Sequence, residues 1–215
     1  MKSTNIVISN AIHLYHRLLE IIDDYKSRKL LENKDFSLIS NNCWGSKVYQ
    51  DLKIRYNTPF IGLFLFAPCY INLLSDFDKV YSDLQFIEKS KYNTKDRNYP
   101  IAILEQDIEI HFMHYKTEKE AEQKWNKRIK RINENNLFFQ FSDRDLCTYE
   151  HLSKYDCLSH ENKICFTAQK YPELKSVVHL QEFSGMPFID NIYYYSYTVK
   201  RHFDIVAWLN SGLKN

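Results

Sequence analysis

Residues 36–52, which read FSLISNNCWGSKVYQDL, decide how this chain folds. Residues 36–39 are a short apolar run that is typical of a buried strand, and Asn41 and Asn42 are turn formers. From Ser46 onward the apolar spacing fits a helix, with Ser46 itself as the candidate cap. The stretch therefore predicts a strand, a tight turn and a helix, which is the repeating unit of an α/β sheet.

The same stretch is the first candidate for a binding site. Ligands of open α/β sheets bind beyond the carboxyl ends of the strands. Asn amides can hydrogen-bond sugar hydroxyls, and the face of a Trp ring can pack on a sugar. The alternative is that the Asn pair only makes the turn and that Trp44 only packs in the core. The candidate binding residues of this stretch are Ser40, Asn41, Asn42, Cys43, Trp44 and Lys47.

The composition indicates one substantial core. The chain has 215 residues, of which 44% are hydrophobic and 26% charged, and this is enough for a single α/β domain over residues 34–215. Residues 1–33 are predicted to add a long N-terminal helix, from about Asn5 to Leu31, that packs on this body. Its basic end, residues 26–29, complements the helix dipole or contacts a partner or a membrane surface.

Charge and glycine content narrow the function classes. Twenty-nine basic and 27 acidic residues give a net charge of +2, which is no electrostatic signature of a nucleic-acid binder. We therefore expect no nucleic-acid partner. With only four Gly, neither a Walker loop nor a Gly-x-Gly-x-x-Gly motif can be written. Nucleotide-sugar binding stays open, because it can use helix N-termini and side chains instead.

Cysteine usage and hydropathy predict a cytoplasmic protein. The five Cys form no Cys-x-x-Cys pair, and the first residues lack a basic segment followed by an apolar run. The most apolar stretch, residues 59–68, is about half as long as a membrane span requires. It is predicted to be a central strand and its exit, so that we expect no transmembrane segment and leave only peripheral membrane contact open.

The remaining pattern alternates strands and helices. We predict a Rossmann-like, mostly parallel sheet with helices on both faces, one β-hairpin and the long N-terminal helix. The end of the chain is less regular, and residues 193–195 receive no assignment. Predicted strands cover residues 59–66, 100–104, 108–115, 137–141, 163–167 and 176–180, and predicted helices cover residues 68–84, 117–133, 148–158 and 203–209.

Titratable residues cluster in the predicted hairpin. Asp107, Glu109 and His111 would share one face of a strand, while His114 would point the other way. His111 is the candidate general base, and Asp107 or Glu109 would orient it or hold a divalent cation. These three are the candidate catalytic residues, no metal ligand is assigned, and the cofactor remains unknown. The alternative is the polar face of a half-exposed strand.

Other predicted strand ends also carry polar groups. Residues 143–145 and residues 167–170 would face the same rim as Asn41 and Asn42, where Arg144 or Lys170 can meet a phosphate. Cys43 precedes a predicted helix start, and a thiolate nucleophile would benefit from that position. Free Cys is also among the most buried residue types.

Several stretches of the sequence match one known pattern, namely residues 39–45, 56–64 and 107–115, the helix with Trp125 and Arg128, and residues 163–167. Through them the chain resembles, over about residues 30–180, a bacterial family described as a domain of unknown function, numbered 1919, and often labelled an exopolysaccharide biosynthesis protein. The resemblance implies a capsule or exopolysaccharide setting, an α/β fold and a role in building or decorating a surface glycan. It transfers no catalytic residue, and the second Gly of many relatives after Trp44-Gly45 is Ser46 here.

These features predict a transferase that acts on an activated sugar or a glycan intermediate, with a nucleotide sugar or that intermediate as its partner. Lys47, Arg128 or Lys170 would neutralise a phosphate. One alternative is a non-catalytic binding or scaffold subunit of a polysaccharide assembly complex. Another is acyl or phosphoryl transfer through Ser40 or Cys43. Further candidate substrate-binding residues are Tyr56, Asn57, His114, Arg128, Thr167 and Lys170.

Overall fold

Two β-sheets organise the chain, of which a computed structural model describes residues 18–92 and 98–213. The strands of this part are β1 (Ser37–Ser40), β2 (Gln85–Ile87), β3 (Ile101–Leu104), β4 (Ile108–His111), β5 (Leu137–Ser142), β6 (Lys163–Thr167) and β7 (Val177–His179). A parallel sheet has the order β1-β5-β6-β7, and an antiparallel sheet has the order β2-β3-β4. The parallel order brings the carboxyl ends of β1 and β5 side by side.

Helices cover both faces of the parallel sheet. They are α1 (18–30), α2 (Trp44–Leu52), α3 (Ala67–Ser75), α4 (Glu118–Ile129), α5 (Tyr149–Cys157), α6 (Ser196–His202) and α7 (Ile205–Ser211). Because side chains alternate along a strand, Leu38 and Phe138 pack with α2, α6 and α7. Ile39 and Phe139 pack with α3, α5 and the antiparallel sheet. The predicted α/β class with helices on both faces is confirmed.

The predicted hairpin is also confirmed. β3 and β4 pair antiparallel, with Ile103 opposite Glu109. Gln106 and Asp107 both have a φ of 57° in the turn between the two strands. Asp and Asn tolerate this left-handed region better than most residues. Because these backbone angles are not those of a strand, β3 ends at Leu104 and β4 begins only at Ile108.

The apolar segment 59–66 is not a strand of the parallel sheet, contrary to the prediction. It runs between the two sheets and pairs only at Phe64, which exchanges two backbone hydrogen bonds with His111 at 2.9 and 3.0 Å. The next amide, that of Leu65, donates to the carbonyl of Asn41 at 3.0 Å. The segment is apolar because both sheets bury it, and burial alone does not distinguish such a segment from a central strand.

The later elements follow the predicted alternation. Thr117 caps α4, since its Oγ1 accepts the amide of Glu120 at 3.2 Å. α5 begins with a box in which Thr148 and His151 cap each other. The predicted final helix, residues 203–209, corresponds to α7. The short helix α6 precedes it and was not predicted, and it ends where Phe203 has an extended backbone.

The N-terminal helix lies against the body where the structure describes it. The guanidinium of Arg28 donates to the carbonyl of Asp51 at 2.7 Å, and Asp24 pairs with Lys200. The predicted start of this helix, residues 5–17, lies outside the described residues. Within residues 18–92 and 98–213, no helix combines the length and apolar character that crossing a bilayer requires.

Candidate functional site

A cleft of about 530 Å³ opens beyond the adjoining carboxyl ends of β1 and β5. Its walls are the start of α2, residues 61–64 with residues 113–114, residues 144–145, and residues 191–194. Ligands of open α/β sheets bind at this position, and the volume suits a small molecule. We call this the strand-end cleft.

Asn42 shapes the turn at the floor of the strand-end cleft. Its Oδ1 accepts the amide of Trp44 at 2.9 Å, which caps α2. Its Nδ2 donates to the Ser142 hydroxyl at 2.9 Å, joining the end of β1 to the end of β5. The prediction that Ser46 is the cap is wrong, because α2 begins two residues earlier, at Trp44.

Cys43 lines the strand-end cleft as a protonated thiol. Burial raises the pKa of this thiol to about 11, although the nearby Arg144 lowers it and Asp145 raises it further. Its Sγ lies 4.0 Å from the carbonyl of Leu63 and 3.9 Å from Met113 Sδ. A thiol of this pKa is a poor nucleophile at neutral pH, so the geometry does not favour covalent catalysis through Cys43.

Arg144 brings a positive charge to the wall that follows β5. Its Nε lies 3.3 Å from Asp145 Oδ1, and its Nη1 lies 3.8 Å from Asp190 Oδ1. Asp145 has a φ of 56°, which turns the chain sharply after the strand. Of the predicted rim, Asn42, Arg144 and Asp145 thus line the strand-end cleft, whereas Asn41, Asp143 and residues 167–170 do not.

His114 also lines the strand-end cleft and lies on an exposed turn after β4. Its amide donates to the carbonyl of Gly62 at 3.0 Å. Gly62 has a φ of +72°, and a Cβ at this position would lie 3.2 Å from His114 Cβ. Glycine is therefore required here both for the backbone conformation and for the close approach of the His114 side chain.

The fourth wall consists of residues 191–194, which the sequence left without an assignment. Asn191 Oδ1 accepts the amide of Tyr193 at 3.3 Å and starts a short 3-10 helix. The Tyr193 hydroxyl donates to Gln50 Oε1 on α2 at 3.2 Å, and Tyr194 is 74% exposed. No periodic pattern in the sequence marks this wall, and only the run of three Tyr residues could have indicated it.

Three predicted binding residues of the first turn lie behind the strand-end cleft. Trp44 is 1% exposed and packs edge-on against Phe166 at 5.1 Å. The expectation that its face stacks on a sugar is wrong, because the first turn of α2 points this ring into the core. Ser40 and Asn41 are fully buried, and the Ser40 hydroxyl is bound to Gln140. Ser40 is thus not placed to act as a nucleophile.

Lys47, Tyr56 and Arg128 also lie outside the lining. Lys47 pairs with Asp51 one turn along α2. The Arg128 guanidinium donates to the Tyr115 hydroxyl at 2.6 Å and lies 5.4 Å from the centre of the Tyr56 ring. The Tyr56 hydroxyl accepts from Gln50 at 3.3 Å, and this one contact links it to the strand-end cleft.

The other predicted binding residues are scattered. The carbonyl of Asn57 accepts from Ser37 at the amino end of β1, which is the edge of the sheet opposite to the strand-end cleft. Thr167 is fully buried, with its hydroxyl bound to the carbonyl of Gln169 at 2.6 Å. Lys170 is exposed on the following loop, outside the lining.

Asp107, Glu109 and His111, the candidate catalytic residues, do not share one face of a strand. β4 begins at Ile108, so Asp107 lies exposed in the turn while Glu109 and His111 are buried. His111 Nε2 lies 3.2 Å from Glu109 Oε2, and its ring stacks on Phe64 at 4.6 Å. Ser90 Oγ also donates to Glu109 at 2.6 Å. The structure therefore places this pair inside the core, away from the lining of the strand-end cleft.

The described part of the chain contains no preformed cluster of metal ligands. Among residues 18–92 and 98–213, no group of three or more His, Cys, Asp or Glu side chains is close enough together to hold a metal ion. His114 and Asp145 are the groups of these types that line the strand-end cleft besides Cys43. A cation bound there would require the ligand to supply further oxygen atoms.

The fold and the strand-end cleft define an α/β protein with a tyrosine-lined cleft beyond its parallel strands. The chain belongs to the family described as "Domain of unknown function (DUF1919)", whose sequence profile matches residues 14–210. It is also similar to a protein of Haemophilus influenzae described as "Uncharacterized protein". The two are 34% identical over 188 residues, covering 85% of this chain and 88% of that relative. The family match includes all four walls of the strand-end cleft.

Proposed function

We propose that this chain is a transferase of surface polysaccharide biosynthesis, in a capsule or exopolysaccharide setting, and that the strand-end cleft holds an activated sugar or a glycan intermediate. The biosynthetic setting rests on the sequence resemblance. The sugar rests on one observation: tyrosine rings, amide groups and a guanidinium line the same cleft. Sugars present both hydroxyl groups and apolar C–H faces, so they need this mixture of partners.

The wall formed by residues 191–194, here called the tyrosine wall, supplies the apolar contact. Tyr194 is 74% exposed, and the Tyr193 ring stands nearly perpendicular to it at 5.3 Å. A tyrosine this exposed gains little from packing in the folded chain, but it offers a flat surface with a polar tip to a ligand. Asn42, Gln50 and Asn191 supply amide groups around it.

His114 is the proton acceptor in the proposed transfer. It is the one His among the residues that line the strand-end cleft. An acceptor hydroxyl attacks the anomeric carbon of the sugar, and its proton passes to a ring nitrogen of His114. The bond from that carbon to the phosphate oxygen breaks, and the leaving phosphate keeps the electron pair. Arg144, on another wall, offsets the negative charge that the leaving group gains.

Binding tests this proposal directly. Purified protein should be stabilised in thermal denaturation by members of a panel of nucleotide sugars and sugar 1-phosphates. Tyr194→Ala should weaken that stabilisation, because it removes the exposed ring. Tyr25→Ala is the matched control, since Tyr25 is 54% exposed on α1 and lies outside the lining of the strand-end cleft. Equal loss in both variants, or stabilisation by no sugar of the panel, would contradict a sugar site.

A scaffold function is the second candidate, and α1 favours it. The described part of α1 exposes an apolar stripe at helical spacing, Leu18, Ile21, Ile22 and Tyr25, each between 49% and 56% exposed. The basic end is partly engaged, because Arg28 binds the carbonyl of Asp51 on the body. Replacing Ile21 and Ile22 with Ser should abolish capture of a partner if the chain is a scaffold and should leave sugar binding unchanged if it is an enzyme.

A further inference from the structure

The first turn of α2, where Ser46 lines the strand-end cleft, contains unused hydrogen-bond donors. α2 has nine residues, and the amide of Trp44 is already bound to Asn42. The next two amides, of Gly45 and Ser46, cannot find an acceptor inside the helix. In the part of the chain that the structure describes, they have no other backbone or side-chain acceptor either. The positive end of the helix dipole lies at the same place.

The Ser46 side chain provides an independent observation. Ser46 lines the strand-end cleft but is only 5% exposed, and among the described groups its Oγ has no hydrogen-bond partner. A buried hydroxyl without a partner costs free energy, and native structures rarely keep one without a reason. A ligand oxygen in the cleft would supply that missing partner.

The charges around the first turn of α2 are compatible with a bound anion. The Arg144 guanidinium acts on the neighbouring Cys43 and shares the strand-end cleft with Ser46. Asp145 and Asp190 also face Arg144, at 3.3 and 3.8 Å. Asp190 is 83% exposed, so solvent screens its pairing and a bound anion can replace it. Asp145 is paired to Nε and the carbonyl of Asp190 accepts from Nη1, which leaves Nη2 of the guanidinium for the ligand.

We propose that the first turn of α2 is a phosphoryl subsite. The amides of Gly45 and Ser46 and the Ser46 hydroxyl donate to phosphate oxygens, and Arg144 neutralises their charge. This inference rests on the proposed function for the sugar and narrows its substrate class to sugars that carry a phosphoryl group on the anomeric carbon. A sugar 1-phosphate and the diphosphate of a nucleotide sugar share this chemistry.

Titration calorimetry with four probes tests the phosphoryl subsite: inorganic phosphate, glucose, glucose 1-phosphate and UDP-glucose. Inorganic phosphate should bind and should compete with the phosphorylated sugars. Ser46→Ala should weaken phosphate binding by about 5- to 10-fold, and Arg144→Gln should weaken it by about 10- to 100-fold. A stronger effect of both substitutions on UDP-glucose than on glucose 1-phosphate identifies the diphosphate as the bound form, and the reverse identifies the monoester.

Ser176→Ala is the matched control. Ser176 is also a buried serine, 7% exposed, that lies outside the lining of the strand-end cleft, and its side chain helps to lower the pKa of Asp156 by a hydrogen bond. Ser46→Ala should keep or raise the melting temperature, because it removes an unsatisfied hydroxyl. Only Ser46→Ala should lose phosphate affinity.

The outcomes separate the two proposals. The phosphoryl subsite is overturned if the wild type does not bind phosphate, or if Ser46→Ala binds it as tightly as the wild type. In that case, the sugar site alone is supported if the wild type binds glucose and Tyr194→Ala abolishes that binding. The opposite result is also possible: phosphate binding requires Ser46, but sugar phosphates bind no more tightly than phosphate itself. That result supports the phosphoryl subsite and contradicts the proposed sugar site.

Discussion

Asp143 Oδ1 accepts a hydrogen bond from the backbone amide of Ile189 at 2.9 Å. Its other oxygen, Oδ2, accepts the amide of Ala168 at 2.6 Å. One side chain, only 9% exposed, thus holds two loops to the end of β5. The loop at Ile189 leads directly into the tyrosine wall, so Asp143 positions that wall without touching a ligand.

Replacing Asp143 with Asn should lower the free energy of unfolding by about 1–3 kcal/mol. The Asn amide can accept only one of the two bonds, and its nitrogen then faces a backbone donor. Urea denaturation measures the loss. Asp83→Asn, an exposed change, should stay within about 0.5 kcal/mol of the wild type. Equal stabilities of both variants would show that the two loops hold without this carboxylate.

The pH dependence of the same pair of proteins has a definite sign. Burial raises the pKa of the Asp143 carboxyl, although three backbone hydrogen bonds lower it in part. The folded state therefore binds more protons than the unfolded state, and the contribution of Asp143 falls as pH rises from about 4, the unfolded value, through the folded pKa. The stability difference between wild type and Asp143→Asn should shrink over that range and then level off. A difference that grows with pH would mean that the folded pKa is lowered.

Gly45→Ala should destabilise the protein by about 1–3 kcal/mol. A Cβ on Gly45 would lie 3.0 Å from Ser40 Cβ, because α2 crosses closely over the end of β1. Thermal denaturation detects the loss, with Ser46→Ala in the same turn as the variant that keeps full stability. An unchanged melting temperature for Gly45→Ala would show that α2 can move away from β1 at no cost.

Cys43 should react slowly with iodoacetamide. A thiol whose pKa is about 11 is ionised to only about one part in 10⁴ at pH 7. Mass spectrometry of peptides should find the exposed Cys157 modified first, and Cys43 modification should still be accelerating between pH 8 and pH 10. A Cys43 rate that is already constant above pH 7 would return the thiol nucleophile to consideration.

Substitutions of His114 and His111 should distinguish a loss of catalysis from a loss of stability. His114→Gln should leave the free energy of unfolding within about 0.5 kcal/mol and reduce the proposed glycosyl transfer by about 10²- to 10⁴-fold. His111→Gln should instead destabilise the fold, because it breaks the buried contact with Glu109. Transfer assays on both variants at a temperature where both are folded decide the matter. Loss of transfer in His111→Gln alone would place the chemistry at the buried pair.

Local patterns were sufficient to predict the strand-turn-helix of residues 36–52 but not the start of the helix. The sequence favours a start at Ser46, whereas α2 starts at Trp44. An α-helix has 3.6 residues per turn, so the earlier start places Trp44 one turn before Val48 on the buried face. Trp44 is therefore a core residue rather than a turn residue that could reach a ligand.

Tertiary contacts explain the other differences. Segment 59–66 has the composition of a central strand because two sheets bury it, and only the paired partners reveal its true position. Residues 191–194 have no apolar period, so nothing local predicts that they reach Gln50 on α2. Asn42, Cys43, His114 and Arg144 are the predicted site residues that line the strand-end cleft. The end of β1 was placed within one residue, whereas β4 ends at His111 and not at residue 115.

Consecutive amides of the chain serve different sheets, since Phe64 donates to His111 and Leu65 donates to Asn41. Two neighbouring α-carbons are held 3.8 Å apart by covalent geometry, so the sheets are joined at a distance that no side-chain motion can alter. Hydrogen exchange at these two amides should accordingly report a single opening event. A ligand at this side of the strand-end cleft would meet backbone held by both sheets, so its fit there would not depend on side-chain rotamers.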